Sequence, residues 1–532
     1  MNHVEVKRKQ IQCFSYALAC INVWVFGKSI GNNGLGYLAA AILVYALFWV
    51  LTGKNLPDRM GRMLRAKNAR GQYQNASKLR KNLMLFQIAE GIVGTFFCMI
   101  VGWLFLEKVF RVPYGSMILW ILGPTLLLRC IQSVFLGYFQ SEGSELPSAV
   151  SSVLRQVFSL GLGLLFLGIF KTYGGKVSLL LKREDFTSMY GSMGIALGIL
   201  ISEILVLLFL VVIYRGSMSG RKERESGTKG TDSFSAQFRS LFLNMGGDIL
   251  KDILLLLPLW TGLFLFQKSS EDIYASVSVY GIFIGRYFVT LLLPAVIICA
   301  GILPAVARIG SHIRRKEERY TQTAFQAGMQ GVMVHGLFFT ALFAVMAAPL
   351  AQSIDAAAGT VLSELFPVGS SLLLWLLLLF YFSETLEICG EKHFIYVGYV
   401  ILDIVSILSL FFLLHAGNTA TALALSLVFG TAAGAVALGI FTCLRRKTAP
   451  DLLRTLAIPA GSCCACGLLA FGLEKIFYPH LGAVVTVLLE LVITGLVYWF
   501  LLLMLHCFRG QDFAYLPGGR LFKSFGKMFH LL

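Results

Sequence analysis

Arg286 lies near the middle of the apolar run GIFIGRYFVTLLLP, where a charge is energetically costly. Placing a charged side chain inside a bilayer costs several kcal/mol, from about 2.5 to more than 10, so such a residue usually serves a function. A guanidinium keeps its proton and binds phosphate oxygens through two hydrogen bonds at once. We therefore predict that Arg286 binds a phosphate group of a substrate. The alternative is a structural ion pair with a carboxylate on a neighbouring helix.

Asp248, Lys251 and Asp252 share one face of a second apolar run, because they are spaced i, i+3 and i+4. They could form ion pairs among themselves or a site for a coupling cation, and their position near the end of the run also makes charges inexpensive. Pro258 follows in the same run. It predicts a kink that would act as a gating hinge.

Further charged residues stand inside other apolar runs. Arg129 and Arg155 lie on either side of a short polar turn, where Glu142 or Glu145 are the expected partners and anchoring is the favoured role of Arg129. Arg155 is also a candidate substrate-binding residue. Four acidic residues also lie inside apolar runs, namely Glu90, Glu203, Asp403 and Glu490. The simplest interpretation of each is a lone protonated carboxyl that is bonded to nearby backbone. For Glu90 the alternative is an ion-coupling role.

No enzyme motif is present, since the sequence contains neither a P-loop nor His-Glu-x-x-His, and its histidines are scattered singly. Cys463, Cys464 and Cys466 have no histidine or carboxylate close to them in the same run, which favours packing over a metal or redox site. We expect a protein that is not an enzyme and binds no metal cofactor.

Composition places most of the chain in lipid. Of 532 residues, 57% are hydrophobic and 14% are charged, and the mean hydropathy is +0.75. Soluble domains have roughly 45–50% apolar and about 25% charged residues. The apolar runs are continuous and do not alternate, which favours helices over a barrel. The predicted class is an all-α polytopic membrane protein.

A hydropathy scan predicts about fourteen spans. An alternative for the first is a cleaved secretory signal, but apolar sequence continues past Cys20 to Phe26 and favours an uncleaved span. The predicted spans are 11–27, 32–52, 84–106, 116–138, 149–170, 191–213, 247–266, 277–302, 323–349, 364–387, 394–414, 420–443, 456–474 and 482–507.

The basic residues predict the orientation. Of 45 Lys and Arg, 32 lie in the tails and the loops on the same side, and 9 lie in the loops on the other side. Cytoplasmic loops carry the excess of positive charge, so both termini are predicted to be cytoplasmic. The net charge of +17 is thereby explained by topology, which argues against a nucleic-acid partner.

The predicted organisation has two lobes of six helices around a central cavity. Weak similarity between the fourth and tenth spans suggests a repeat, a common plan among transporters. Residues 518–532 alternate basic and Phe residues, which predicts a helix on the anionic leaflet. The predicted parts are an N-terminal lobe 1–213, a linker 214–246 with an amphipathic helix, a C-terminal lobe 247–443, two additional helices in 444–507 and a cytoplasmic tail 508–532.

Several stretches carry a resemblance to a known family. Phe26 to Gly36 reads FGKSIGNNGLG, and a basic loop NLPDRMGRMLRAKNARGQYQNASKLRKNL follows the next span. Leu136 to Gln140 reads LGYFQ and precedes LPSAVSSVLRQVFSL. These stretches resemble the lipid II flippase and sporulation-protein branch of the multidrug/oligosaccharidyl-lipid/polysaccharide exporter superfamily, and the resemblance extends over almost the whole chain.

The resemblance implies a flippase of the bacterial plasma membrane that translocates a polyprenyl-diphosphate-linked saccharide by alternating access. The first-helix arginines that hold the pyrophosphate in that family are absent here, and only Lys28 keeps a basic residue, with Lys251 as a further substitute. Arg155 replaces the signature glutamate beside Gln156. Na⁺ or H⁺ is the expected coupling ion. The alternatives are a cation-coupled drug antiporter and a scaffold that recruits cell-envelope polysaccharide enzymes without transport.

Overall fold

The computed structural model describes residues 3–183, 185–218, 234–417, 420–446, 451–508, 510, 512–516 and 518–528. Within these residues the chain is almost entirely helical and contains no β-strand. A helix pairs its backbone groups within one segment, which is required wherever the surrounding solvent is lipid.

The helices are connected mainly by short turns, and three π-helical segments interrupt them at Leu104–Val109, Phe283–Phe288 and Leu453–Ala457. The helices of the first half are α1 His3–Leu51, α2 Leu56–Ala69, α3 Tyr73–Trp103, α4 Gly115–Leu122, α5 Pro124–Ser141, α6 Leu146–Leu181, α7 Asp185–Met218, α8 Phe234–Ser269 and α9 Ile273–Ile282. Those of the second half are α10 Val289–Arg314, α11 Glu318–Val345, α12 Ala347–Ile354, α13 Gly359–Gly369, α14 Leu372–Cys389, α15 Lys392–Ala416, α16 Ala420–Arg446, α17 Ile458–Leu481, α18 Ala483–Met504 and α19 Gly519–Met528.

Thirteen stretches of the described chain are long and apolar enough to cross a membrane. The first, Glu5–Ala69, contains both predicted spans 11–27 and 32–52, because both belong to α1. Gly31 interrupts α1 with φ 70° and ψ −174°, a conformation that only glycine adopts readily. Counting the two parts of α1 separately gives the predicted fourteen spans. The predicted class, an all-α polytopic membrane protein, is confirmed.

The structure divides into two compact units. One unit comprises Ile21–Gly281, and the other comprises Met1–Cys20 together with Ile282–Leu532. These units do not test the lobes predicted from the sequence, 1–213 and 247–443, which stay a prediction.

The predicted linker 214–246 and the predicted tail are only partly described. Residues 219–233 of the linker lie outside the described residues, and α8 begins at Phe234. The described part of the tail includes α19, and residues 529–532 lie outside it. The linker and tail boundaries stay predictions.

Close helix contacts hold the unit Ile21–Gly281 together. At the contact of α1 with α9, a Cβ on Gly36 would lie 2.0 Å from the carbonyl oxygen of Val277. A Cβ on Gly281 would lie 2.1 Å from the carbonyl oxygen of Asn32. Without a hydrophobic driving force in lipid, helices associate through such close van der Waals contact between small residues. The second half of α1 is therefore fixed against α9.

Aromatic residues form the core at the C-terminal end of the other unit. Phe522 of α19 is fully buried, with its ring centroid 4.3 Å from that of Trp499 and 5.4 Å from that of Phe508. The Gln330 side-chain amide donates to the carbonyl of Cys507 at 2.7 Å. One apolar residue of the predicted interfacial helix thus packs into the protein, while Leu521 on the same helix stays exposed.

Candidate functional site

Arg286 lies in the π-helical turn Phe283–Phe288 that joins α9 to α10. The residue is only 2% exposed. The hydroxyl of its neighbour Tyr287 donates to the carbonyl of Gly369 at 2.7 Å, which fixes the turn against the end of α13. Such turns insert one extra residue into a helix and are frequent at functional sites. The turn therefore holds a guanidinium inside an apolar segment in a defined position.

Asp355 faces this guanidinium. Its Oδ2 lies 3.3 Å from Arg286 Nη2, longer than the roughly 2.7–2.9 Å of a strong charge-assisted hydrogen bond. Its Oδ1 accepts a hydrogen bond from the backbone N–H of Ala357 at 3.1 Å. The carboxylate is thus shared between a backbone group and Arg286. The ion pair that the sequence left as an alternative for Arg286 is present, and its role with substrate stays a prediction.

Arg129 of α5 and Arg155 of α6 both pair with Glu203 of α7. Arg129 Nη2 lies 2.7 Å and Arg155 Nε lies 2.8 Å from Glu203 Oε1. The Glu203 side chain is completely buried, and the arginine side chains are about one-fifth exposed. Two positive charges and one negative charge leave this cluster with a formal charge of +1 inside the apolar helices. The interpretation of Glu203 as a lone carboxyl bonded to nearby backbone was wrong, because two guanidinium groups form ion pairs with it.

Further contacts complete this cluster, which we call the Glu203 cluster (Arg129, Gln132, Arg155 and Glu203). The Gln132 amide donates to the Glu203 carbonyl at 2.9 Å, and its Oε1 accepts from Arg155 Nη2 at 2.8 Å. The Arg129 guanidinium lies 5.5 Å from the ring centroids of both Tyr45 and Trp49. Such cation–π contacts stabilise a desolvated cation. The cluster therefore joins α5, α6 and α7 through one network.

Asp248 and Asp252 pair with the segment around the start of α2. Arg59 Nε donates to Asp248 Oδ2 at 2.8 Å, and Lys54 Nζ lies 2.9 Å from Asp252 Oδ1. The Asn55 amide also donates to Asp252, at 2.8 Å. Both carboxylates therefore have cationic partners outside their own helix. The sequence had paired them within the helix or with a coupling ion, and the coupling role stays a prediction.

The other predicted residues of the unit Ile21–Gly281 lie on three different helices. Lys28 is exposed on α1, with Nζ 5.8 Å from the centroid of Trp24. Glu90 on α3 accepts a hydrogen bond from the Gln87 amide one turn earlier. Lys251 lies on α8 between the two paired aspartates. The roles of these residues in binding substrate or a coupling ion stay predictions.

Pro258 lies inside α8, as predicted. The Thr261 hydroxyl donates to the Leu257 carbonyl at 2.9 Å, and Trp260 Nε1 donates to the Leu43 carbonyl of α1 at 3.2 Å. Threonine hydroxyls commonly satisfy carbonyls where a helix is locally perturbed. The hinge role of Pro258 stays a prediction.

The sequence did not identify Glu203 and Asp355 as the ion-pair partners of the arginines inside the apolar runs. A signal for the first exists in the sequence. Arg129 lies 12 residues before the end of α5 at Ser141, and Arg155 lies 9 residues after the start of α6 at Leu146. Glu203 lies 15 residues before the end of α7 at Met218. The basic residues place these three helix ends on one side of the membrane. Three charges at similar depth are expected to meet. No comparable signal identifies Asp355, which follows a short helix whose end the hydropathy pattern does not show.

Fold and charge placement define the class of this chain, a polytopic α-helical membrane protein with the fold of the multidrug/oligosaccharidyl-lipid/polysaccharide exporters. The resemblance found in the sequence is thus confirmed for the fold. The chain is similar to the lipid II flippase MurJ in an inward closed conformation, with a TM-score of 0.65, 14% identity and coverage of 93% of this chain and 97% of that one. It is also similar to an inward-facing multidrug resistance MATE family transporter, with a TM-score of 0.62, 12% identity and coverage of 84% and 98%.

One curated relative matches in sequence. Stage V sporulation protein B of Bacillus subtilis is 26% identical over 207 residues, which is 37% of this chain and 36% of that protein. The match therefore spans little more than a third of the relative's length. No family model matches the chain.

Proposed function

We propose that this protein moves a polyprenyl-diphosphate-linked saccharide across the bacterial plasma membrane by alternating access, with both termini in the cytoplasm. The fold shared with MurJ and the sequence similarity to stage V sporulation protein B support this class of transport. The saccharide headgroup would cross within the protein while the polyprenyl tail stays in the bilayer. Enzymes of cell-envelope polysaccharide synthesis are the partners that would supply and consume such a substrate.

The observation that carries the proposal is the loose ion pair of Arg286 with Asp355. A guanidinium that is 2% exposed cannot lose its proton, so it needs an anion in every state of the protein. Asp355 supplies one at 3.3 Å through a carboxylate that also binds backbone. A diphosphate offers more oxygens and a bidentate geometry. In the proposed cycle the diphosphate replaces Asp355 at Arg286, and Asp355 returns when the substrate leaves.

The energy source in this proposal is an ion gradient carried by Na⁺ or H⁺. Asp248 and Asp252 already have Arg59 and Lys54 as partners, so a coupling ion would have to compete with these cations. Glu90 has a neutral partner, Gln87, and lies within an apolar span. It is therefore the strongest candidate among the three for binding a cation.

Reconstitution tests the proposal. The purified full chain is placed in liposomes with a fluorescent polyprenyl-diphosphate saccharide, and the rate at which the label reaches the far leaflet is measured with and without an imposed gradient. Hydrogen bonds to a charged group contribute about 1.5–3 kcal/mol, so Arg286→Gln should slow translocation by about 10- to 150-fold. Exposed Arg319→Gln is the matched control and should leave the rate unchanged.

Two outcomes would contradict the proposal. Undiminished translocation by Arg286→Gln would remove Arg286 from the substrate path. No translocation with any diphosphate headgroup, together with co-purification of polysaccharide enzymes, would favour a scaffold that transports nothing.

The second candidate is a cation-coupled drug antiporter, favoured by the intramembrane carboxylate of Glu90 and by the fold shared with a MATE family transporter. An antiporter for organic cations needs an acidic residue in its path. Efflux of an organic cation that is lost in Glu90→Gln and retained in Arg286→Gln would support this candidate over the flippase.

A further inference from the structure

A cleft separate from Arg286 opens between the first part of α1 and the C-terminal part of α10, at the end that the basic residues assign to the cytoplasm. Its volume is about 320 Å³, which is at the lower end of ligand pockets. Both sides of the cleft belong to the same compact unit. The lining residues are Val6, Lys7, Gln10, Pro304, Ala307, Arg308 and Ser311.

The charge of this cleft is positive, because two of its lining residues are basic and none is acidic. Lys9, two residues after Lys7, pairs with Glu384, whose Oε2 lies 2.7 Å from Lys9 Nζ. Lys7 is exposed and has no ion pair within the described part of the chain. Its charge therefore remains available to an anion in the cleft.

Arg308 is positioned by neutral groups. Its guanidinium donates to the Ala514 carbonyl and lies 5.0 Å from the ring centroid of Tyr515. These contacts restrict the side chain without cancelling its charge, which lowers the entropic cost of binding an anion. On the opposite wall, the Gln10 amide is fixed by a hydrogen bond to the Ala300 carbonyl at 3.0 Å.

We propose that this cleft binds the phosphate of an anionic lipid headgroup from the cytoplasmic leaflet, between Lys7 and Arg308. Basic pockets between transmembrane helices on the cytoplasmic side bind such headgroups. The apolar lining residues Val6, Pro304 and Ala307 suit the part of the lipid next to its phosphate. The site does not include Arg286 and does not depend on the proposed transport function.

Binding to the purified full chain in detergent tests the site. The probes are short-chain phosphatidylglycerol, short-chain phosphatidylcholine and inorganic phosphate, each titrated by calorimetry. Phosphatidylglycerol should bind. The double variant Lys7→Gln/Arg308→Gln should weaken this binding roughly 30-fold, because each cation near a lipid phosphate raises the affinity about 5-fold. The control Lys523→Gln/Lys527→Gln removes two exposed charges of the tail and should leave the affinity unchanged.

Other results would overturn the assignment. Phosphatidylglycerol binding that survives the double variant would place the lipid elsewhere, and the absence of binding would remove the site. Equal affinity for inorganic phosphate would identify a site for a free anion and not a lipid. Because Arg308 also holds the tail, Lys7→Gln alone is the second variant, and it should weaken phosphatidylglycerol binding about 5-fold without changing the unfolding temperature.

Discussion

The Glu203 cluster and the Arg286–Asp355 pair solve the same problem, a guanidinium inside an apolar helix, in different ways. In the cluster, two arginines lie 2.7 and 2.8 Å from one fully buried carboxylate, and Gln132 completes the network. At Arg286 the contact is 3.3 Å, and the carboxylate is 17% exposed. The first arrangement resists exchange and joins three helices. The second leaves the anion replaceable, as the proposed role of Arg286 in binding substrate requires.

The difference also predicts where stability and function separate. Removing one partner of a buried ion pair leaves an uncompensated charge and costs about 3–5 kcal/mol. Removing the charge of Glu203 leaves two guanidinium groups without their anion, whereas removing the charge of Asp355 leaves one. Carboxylate-to-amide substitutions at Glu203 and Asp355 form a matched pair, because each preserves shape and removes one negative charge.

The largest effect is expected for Glu203→Gln. Arg129 and Arg155 would lose the fully buried anion that they share, so the free energy of unfolding should fall by about 3–5 kcal/mol. The measurement is the thermal unfolding midpoint in detergent, together with the yield of monodisperse protein. Glu142→Gln in the loop after α5 is the control. A stability equal to that of the unsubstituted chain would show that the cluster does not anchor the helices.

A smaller effect is expected for Asp355→Asn. One contact of 3.3 Å is lost, instead of two at 2.7 and 2.8 Å, so the loss of stability should be about 1.5–3 kcal/mol, the contribution of a hydrogen bond to a charged group. In the same variant, diphosphate should bind more tightly, because no carboxylate competes for Arg286. Titration with a short-chain prenyl diphosphate and a thermal melt measure both quantities. Destabilisation as large as that of Glu203→Gln would remove the distinction between the two regions.

The smallest effect is expected for Arg59→Gln, which removes the ion pair with Asp248. The side chains of Arg59 and Asp248 are 17% and 21% exposed, and Asp248 lies near the predicted cytoplasmic end of the span Met245–Ser269. Pairs that water can reach contribute about 1 kcal/mol or less. The unfolding midpoint should therefore shift slightly, and the shift should shrink at high salt. A loss on the scale expected for Glu203 would identify a second buried anchor.

The spans were predictable because hydropathy reflects the transfer of side chains between water and lipid, which is a local property of the sequence. All fourteen predicted spans are recovered, including the two parts of α1 on either side of Gly31. The turn FGKSIGNNGLG gave the approximate place of that interruption. The short helix α12 was not foreseen, since it falls at the end of a predicted span.

Partners of charged residues were harder to predict than the residues themselves. Arg286 and Arg155 were identified as unusual from their surroundings alone, but their carboxylates depend on which helices become neighbours. Glu203 lies 74 residues from Arg129, and Asp355 lies 69 residues after Arg286. Pairing of this kind is a property of the assembled fold. For Asp248 the sequence left a pair on its own helix and a coupling ion as alternatives, and the structure supplies Arg59 from α2 as a partner.

One compact unit is formed from two segments that are distant in sequence, which has a consequence for biosynthesis. Met1–Cys20 belongs to the same unit as Ile282–Leu532, and Lys9 pairs with a residue 375 positions later. The aromatic core of that unit includes Phe522, more than 200 residues after Ile282. Contacts so distant in sequence cannot form until both partners have been translated. The unit Ile21–Gly281 can therefore assemble before Glu384 is synthesised, whereas the ion pair of Lys9 cannot form before that point.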